Sequence, residues 1–169
     1  MLPNFICPGA QKAATTSLHD ILVQHPEIYL PACKETHFFD IDERFARGVQ
    51  FYEDEYYADA RGHRVVGDIT PRYLYYHHVP GRIARALGND VRFVIMLRNP
   101  ADRAYSHYWM SRGRGSDGDT LEFSEAIARE RDMLERVGPD DPIRYQTRTY
   151  LDRGFYARQI RRYLAHFDR

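Results

Sequence analysis

The chain has 169 residues, 43% of them apolar, with 24 basic side chains against 24 acidic ones and a formal net charge of zero. That length suits one hydrophobic core, so a single domain over 1–169 is expected. The charge balance excludes the broad basic surface of a nucleic-acid or anionic-membrane binder. No window approaches the roughly 18 apolar residues of a membrane span, and the N-terminus lacks the sections of a signal peptide, so a soluble, cytoplasmic protein is expected. Cys7 and Cys33 are too few for a disulfide framework and lack metal-ligand spacing, which predicts reduced, partly buried thiols. Of the 24 basic residues only Lys12 and Lys34 are lysine. Arginine is this chain's default cation, so each lysine asks for a reason arginine would not serve.

In chain order, "NFIC" is a short apolar run ending at Pro8-Gly9, and "TTSLHDILVQHP" follows with Leu18, Ile21 and Leu22 at helical spacing before Pro26. Strand, tight turn and helix open an α/β unit. "EIYL" and "HRVVGDITP" are further strand candidates. "DVRFVIML", residues 90–97, has the strongest strand pattern, a continuous apolar run of the kind buried on both faces of a parallel sheet. Helical stretches are expected over 48–57 and 79–87, the latter closed by Gly88-Asn89, and again in "NPADRAYSHYWMSR", "LEFSEAIARERDMLERVG" and "GFYARQIRRYLAHF". Such alternation predicts a mostly parallel sheet with helices on both faces. The segment 113–120, "GRGSDGDT", has loop composition.

The chemistry concentrates at two turns. Helix N-termini at the carboxyl ends of parallel strands aim N–H groups and a positive partial charge outward. Gly9 ends the first strand, Ala13, Ala14, Thr15, Thr16 and Ser17 offer consecutive N–H groups, three of these residues add hydroxyls, and Lys12 adds a compact charge. An ordinary helix start capped by Thr15 or Thr16 explains the same residues. The second turn is "MLRNPADRAYSHYWM". There Arg98 follows the strongest strand, Asn99 caps a helix with Pro100 at its first position, and Ser106 lies about two turns, or roughly 10 Å, beyond the cap. Together Arg98 and Ser106 favour a second anion site.

"GAQKAATTSL", "KETHFF" and "LRNPADRAYSHYWM", in that order, resemble the sulfotransferases that use 3′-phosphoadenosine 5′-phosphosulfate (PAPS), particularly their bacterial and heparan-sulfate-type branch. "GDITPRYLYY" and "RGFYARQIRRYL" match further family segments. The resemblance implies a P-loop-like parallel α/β sheet. It also implies that Gly9 to Ser17 grip the 5′-phosphosulfate, with Lys12 near the oxygen bridging phosphorus and sulfur. Arg98 and Ser106 would take the 3′-phosphate. Glu35 falls where the heparan-type enzymes place a general base, and His37 on a position lining their acceptor pocket; a base at Glu35 or at His37 would take the acceptor's proton. The acceptor would be a small molecule, a glycan or a lipid, and the chemistry calls for no metal.

Three departures qualify the match. The family usually has glycine where this chain has Ala14, which is tolerable if its φ is negative. Ile69 stands where heparan-type members have a lysine before Thr70-Pro71, and Arg72 either compensates or is a surface cation. Family members also continue past "RRYLAHFDR" into another strand, so a C-terminally truncated domain is expected. Lys34 reads equally as an active-site cation or a solvated neighbour. His77 and His78 read as loop residues, "FYEDEYY" as a packed amphipathic helix, Tyr108 and Trp109 as core packing, and Gly154 with Tyr156 as the family's start of a late helix. The alternatives are a P-loop nucleotide kinase or triphosphatase, with Asp68 holding magnesium, and a non-catalytic nucleotide-binding module. The lysine spacing and the Arg98/Ser106 pair weigh against the kinase.

Overall fold

The computed structural model describes residues 1–113, 120–138, 141 and 149–168, so the loop expected over 113–120 lies almost entirely outside the described residues. Four parallel strands form the sheet: β1 (Phe5–Gly9), β2 (Ile28–Tyr29), β3 (Val65–Ile69) and β4 (Arg92–Ile95), in the order β2-β3-β1-β4. The helices are α1 (Thr15–Leu22), α2 (Asp42–Phe45), α3 (Gly48–Tyr56), α4 (Val79–Leu87), α5 (Pro100–Arg112), α6 (Phe123–Arg136) and α7 (Tyr156–Leu164), with a 3₁₀ turn at Asp152–Gly154. The chain divides into two compact units, one of residues 1–97 and 158–169, the other of residues 98–157.

In the first unit β1 is an inner strand, between β3 and β4, and all five of its residues are buried. One face of the sheet carries Phe5, Cys7 and Ile69, against which Leu18 and Leu22 of α1 pack. Gly67 has no side chain because the Phe5 ring crosses it, and a Cβ there would lie 2.1 Å from a ring carbon. The other face carries Ile6, in register with Asp68 and Phe93. Tyr163 of α7 and Phe167 pack on Phe93 at centroid distances of 5.2 and 4.6 Å. Helices on both faces therefore cover a parallel sheet, as the alternation of elements predicts.

The strongest strand pattern is not the most buried strand. β4 pairs only with β1, at the sheet's edge among the described residues, and Val94 and Leu97 are 45% and 51% exposed. Alternation explains it: Phe93 and Ile95 are half-buried and line a cavity of about 500 Å³ with Ile160, Tyr163 and Leu164, while Arg92 and Val94 are the exposed positions between them and Val94 takes no part in that lining.

The second unit is held by a hydrophobic cluster of Ala104, Tyr108, Ala126 and Tyr150. Glu130, 2% exposed, accepts from the N–H groups of Tyr150, Leu151 and Asp152 at 2.6, 2.8 and 2.9 Å. Burial raises its pKa and those three donors oppose the rise. Fully buried Arg103 donates to the Tyr150 carbonyl. Tyr108 is a core residue as expected, whereas Trp109 is 53% exposed and packs no core. Elsewhere, Tyr52 and Tyr57 are fully buried and fix α3. His77 and His78 sit in the turn before α4. Both cysteines are free, Cys7 buried and Cys33 exposed, and burial pushes the Cys7 thiol up to about 11.

Candidate active site

The turn after β1 is built by its neighbours. The Gly9 carbonyl accepts from Met96 N–H at 2.8 Å, Ala10 N–H donates to the Met96 carbonyl at 2.6 Å, and Leu74 N–H donates to the Pro8 carbonyl at 2.7 Å. Gly9 has φ +153°, and a Cβ there would meet Leu74 Cβ and the Pro71 carbonyl oxygen, each at 2.9 Å. Only glycine fits. α1 then begins at Thr15 behind Ala14, which makes no side-chain cap, so the start is not the ordinary threonine-capped one. The first-turn N–H groups of α1 have no carbonyl partner within the helix and remain with its positive dipole end, beside the hydroxyls of Thr15, Thr16 and Ser17.

Ala14 corrects an expectation. Its φ is +63°, not negative, so the residue holds the left-handed conformation that glycine adopts freely. Among the described residues, the non-glycine residues with positive φ are Lys12 (71°), Ala14 and His37 (52°). All three belong to the predicted site, where backbone strain characteristically gathers.

The segment "KETHFF" adds a chain of charges to the same unit. Lys34 Nζ donates to Thr16 Oγ1 at 2.8 Å and to Glu35 Oε1 at 2.9 Å. The other Glu35 oxygen, Oε2, lies 3.4 Å from His37 Nε2. On its far side His37 Nδ1 is 3.1 and 3.2 Å from the two oxygens of Asp40, and Arg72 Nε is 3.2 Å from Asp40 Oδ2. The His37 hydrogen bond, with Lys34 adding to it against the effect of burial, lowers the Glu35 carboxyl to about 2. Burial pulls His37 down, but its bonds to Asp40 and Glu35 outweigh that and raise it to about 9. These shifts favour carboxylate and imidazolium at neutral pH, which makes Glu35 the better placed of the two to accept a proton.

Behind this chain lies a buried polar hub. Asp68 is fully buried; its Oδ2 accepts from Thr36, Tyr52 and Tyr73 hydroxyls at 2.8, 2.6 and 3.1 Å, and its Oδ1 from Thr70 at 2.6 Å. Burial raises its pKa and the four hydroxyls oppose the rise. Thr36 lies between Glu35 and His37, so the hub fixes the backbone that carries both. With each oxygen engaged by hydroxyls and none exposed, Asp68 is not placed to hold magnesium as a nucleotide kinase requires. Among the described residues no group of three or more His, Cys, Asp or Glu side chains is arranged to hold a metal ion.

Lys34 and Arg72 are therefore parts of the constellation rather than solvated cations, and Asp40 is a member that sequence reading missed. The i, i+3 spacing of His37 and Asp40 within "HFFD" was the available signal.

In the second unit Asn99 caps α5, its Oδ1 accepting from Ala101 N–H at 3.0 Å and Asp102 N–H at 3.4 Å, with Pro100 at the first position. Arg98 stands immediately before the cap with an exposed side chain, and Ser106 is half-buried in the middle of the helix. The Tyr156 hydroxyl donates to the Arg98 carbonyl at 2.9 Å, and a Cβ on Gly154 would lie 3.1 Å from Pro100 Cβ. The late "GFY" segment thus braces the start of α5. Each predicted anion-binding group is formed within its own unit.

Comparison with known proteins gives this arrangement a family. The sulfotransferase domain family matches residues 2–168. A crystal structure of a sulfotransferase from Alicyclobacillus acidocaldarius superposes with a TM-score of 0.79 at 36% identity, covering 100% of this chain and 70% of that one. The membrane-associated sulfotransferase kil1 of Dictyostelium discoideum is 30% identical over 141 residues, 79% of this chain and 29% of that protein. The human bifunctional heparan sulfate N-deacetylase/N-sulfotransferase 3 is 32% identical across 98% of this chain and 19% of its own length. The chain thus spans less than a third of either of these two relatives. No helix among the described residues is long and apolar enough to cross a membrane. The fold, the order of the motifs and these likenesses agree, and the chain belongs to the sulfotransferase domain family.

Proposed function

We propose that the protein transfers the sulfuryl group of PAPS to a hydroxyl or amine acceptor by in-line displacement, with Glu35 as the general base. The observation that carries this reading is the run of contacts from Thr16 through Lys34, Glu35, His37 and Asp40 to Arg72, which joins a phosphate-type turn to a poised carboxylate. PAPS supplies an activated sulfuryl group whose leaving group is adenosine 3′,5′-bisphosphate. Lys12 and the first-turn N–H groups of α1 meet the charge that grows on the 5′-phosphate as the bridging S–O bond breaks, a preorganised interaction commonly worth about 3 kcal/mol or more. Glu35 takes the acceptor's proton as the new bond to sulfur forms, a contribution of about 100- to 10,000-fold. His37, held as an imidazolium by Asp40, fixes the orientation of Glu35. The assignment of Arg98 and Ser106 to the 3′-phosphate rests on the family motif they share. The names of the heparan sulfate relatives make a glycan acceptor the first class to test.

The test is transfer from radiolabelled donor to a panel of glycan, lipid and small-molecule acceptors. Glu35→Gln is expected to abolish transfer without weakening adenosine 3′,5′-bisphosphate binding. Normal turnover in that variant would remove Glu35 from the role of base.

A further inference from the structure

Lys34 occupies a position that the proposed chemistry does not itself require. Its ammonium is shared between the hydroxyl of Thr16, in the first turn of α1, and one oxygen of Glu35. The remaining Glu35 oxygen faces His37. Both oxygens of the proposed base therefore face cationic partners. Such a carboxylate is a poor proton acceptor, and one oxygen must be released before it can serve an acceptor hydroxyl.

The oxygen most readily released is the one on Lys34, because the other end of that contact belongs to the turn where the donor's 5′ side would bind. A phosphosulfate there, with one negative charge on its phosphate and one on its sulfate, competes for Lys34 far more strongly than a neutral threonine hydroxyl does. We propose that Lys34 is a positioning residue that shifts from Glu35 to the donor when the phosphate turn is filled, so that the base is freed only once the donor is in place. This inference rests on the donor assignment above.

It also answers why the position is a lysine in a chain with 22 arginines (24 basic residues less Lys12 and Lys34). An ammonium is a compact charge with three rotatable donors on a flexible stem, suited to exchanging partners. Arginine's planar fork binds a carboxylate through two parallel hydrogen bonds and would stay on Glu35. The charged groups around the carboxylate are Lys34 and His37 from its own segment, with Asp40 and, from the turn after β3, Arg72 acting through His37.

The experiment is a carbon-13 NMR titration of Glu35, assigned by its loss in Glu35→Gln, with and without saturating adenosine 3′,5′-bisphosphate. In wild type the bisphosphate is expected to raise the Glu35 pKa by about 1–3 pH units, the range of a close opposite charge withdrawn. In Lys34→Met the ligand-free value starts higher, and the ligand-induced rise is less than half the wild-type one. Lys34 is only partly buried, with 26% of its side chain exposed, so the variant is expected to fold. In Lys34→Arg the bisphosphate still binds, yet Glu35 stays low and turnover falls. Equal rises in wild type and Lys34→Met, or no rise in wild type despite bound ligand, would overturn the proposal alone. Failure of wild type to bind the bisphosphate at all would overturn the donor assignment, and this inference with it.

Discussion

Replacing Ala14, the N-cap of α1, by glycine is predicted to stabilise this protein. Ala14 has φ +63°, and an L-residue in that left-handed region costs about 1–2 kcal/mol, which glycine does not. The opposing term is the extra freedom glycine gives the unfolded chain, about 0.4–1 kcal/mol. The methyl group is exposed, so its loss forfeits no burial. The difference leaves a net gain of about 0.5–1 kcal/mol, or roughly 1–4 °C in Tm for a chain of this size. Ala13 is the control, because it is 4% exposed and its φ is not positive. Ala13→Gly loses a buried methyl group, worth about 0.8 kcal/mol, as well as the entropy term, and is expected to destabilise. Urea unfolding of the two variants beside wild type measures both effects. If Ala14→Gly is destabilised as much as Ala13→Gly, the left-handed strain assigned to the phosphate turn does not exist.

Three further outcomes follow from the site. The ordinary histidine pKa is about 6.5 and His37 is raised to about 9, so its stabilisation is complete below pH 6.5 and is lost as the pH rises through 9. Glu35, lowered from 4.5 to about 2, contributes above pH 4.5 and loses its contribution as the pH falls towards 2. The pair is therefore worth most between about pH 4.5 and 6.5, with Asp40 contributing more than Glu35 to the rise of His37. Melting temperature is expected to fall between pH 6.5 and 9, and to fall less in His37→Asn, whose side chain tolerates the positive φ. Equal slopes would remove the imidazolium from the account. Asp68→Asn turns one of two acceptor oxygens into a donor facing hydroxyls and is expected to cost about 2–4 kcal/mol in urea unfolding. A change below 0.5 kcal/mol, on the order of a surface substitution, would deny the hub its structural role. Arg98→Ala is expected to lose most of the stabilisation that adenosine 3′,5′-bisphosphate gives, measured against the variant's own ligand-free melting temperature; an undiminished ligand effect would move the 3′-phosphate elsewhere.

The fold was legible because its signals are local. Gly9 after an apolar run, Asn99-Pro100 before a helix and the alternation of strand and helix patterns each mark one element, and together they leave few alternatives to a parallel sheet. Burial was less legible. The run 90–97 reads as the most buried strand, yet β4 lies at the sheet's edge among the described residues, because strand order depends on which strands meet and a single strand's composition does not report it. The site followed the same division. Lys12, Glu35 and His37 stood out by residue type and motif. The role of Lys34 depends on its contact with Thr16, 18 residues away, and that of Asp40 on the ring orientation that the left-handed backbone of His37 permits. Asp68 ends an apolar run like a magnesium ligand, and only the hydroxyls of Thr36, Tyr52, Thr70 and Tyr73 show it to be a structural anchor.

The most direct test of the account is calorimetric titration of the wild-type protein with adenosine 3′,5′-bisphosphate and, separately, with Mg-ATP. Binding of the bisphosphate at least about tenfold more tightly than Mg-ATP, a difference of about 1.4 kcal/mol, is the predicted result. Equal affinity, or binding of Mg-ATP alone, would contradict it.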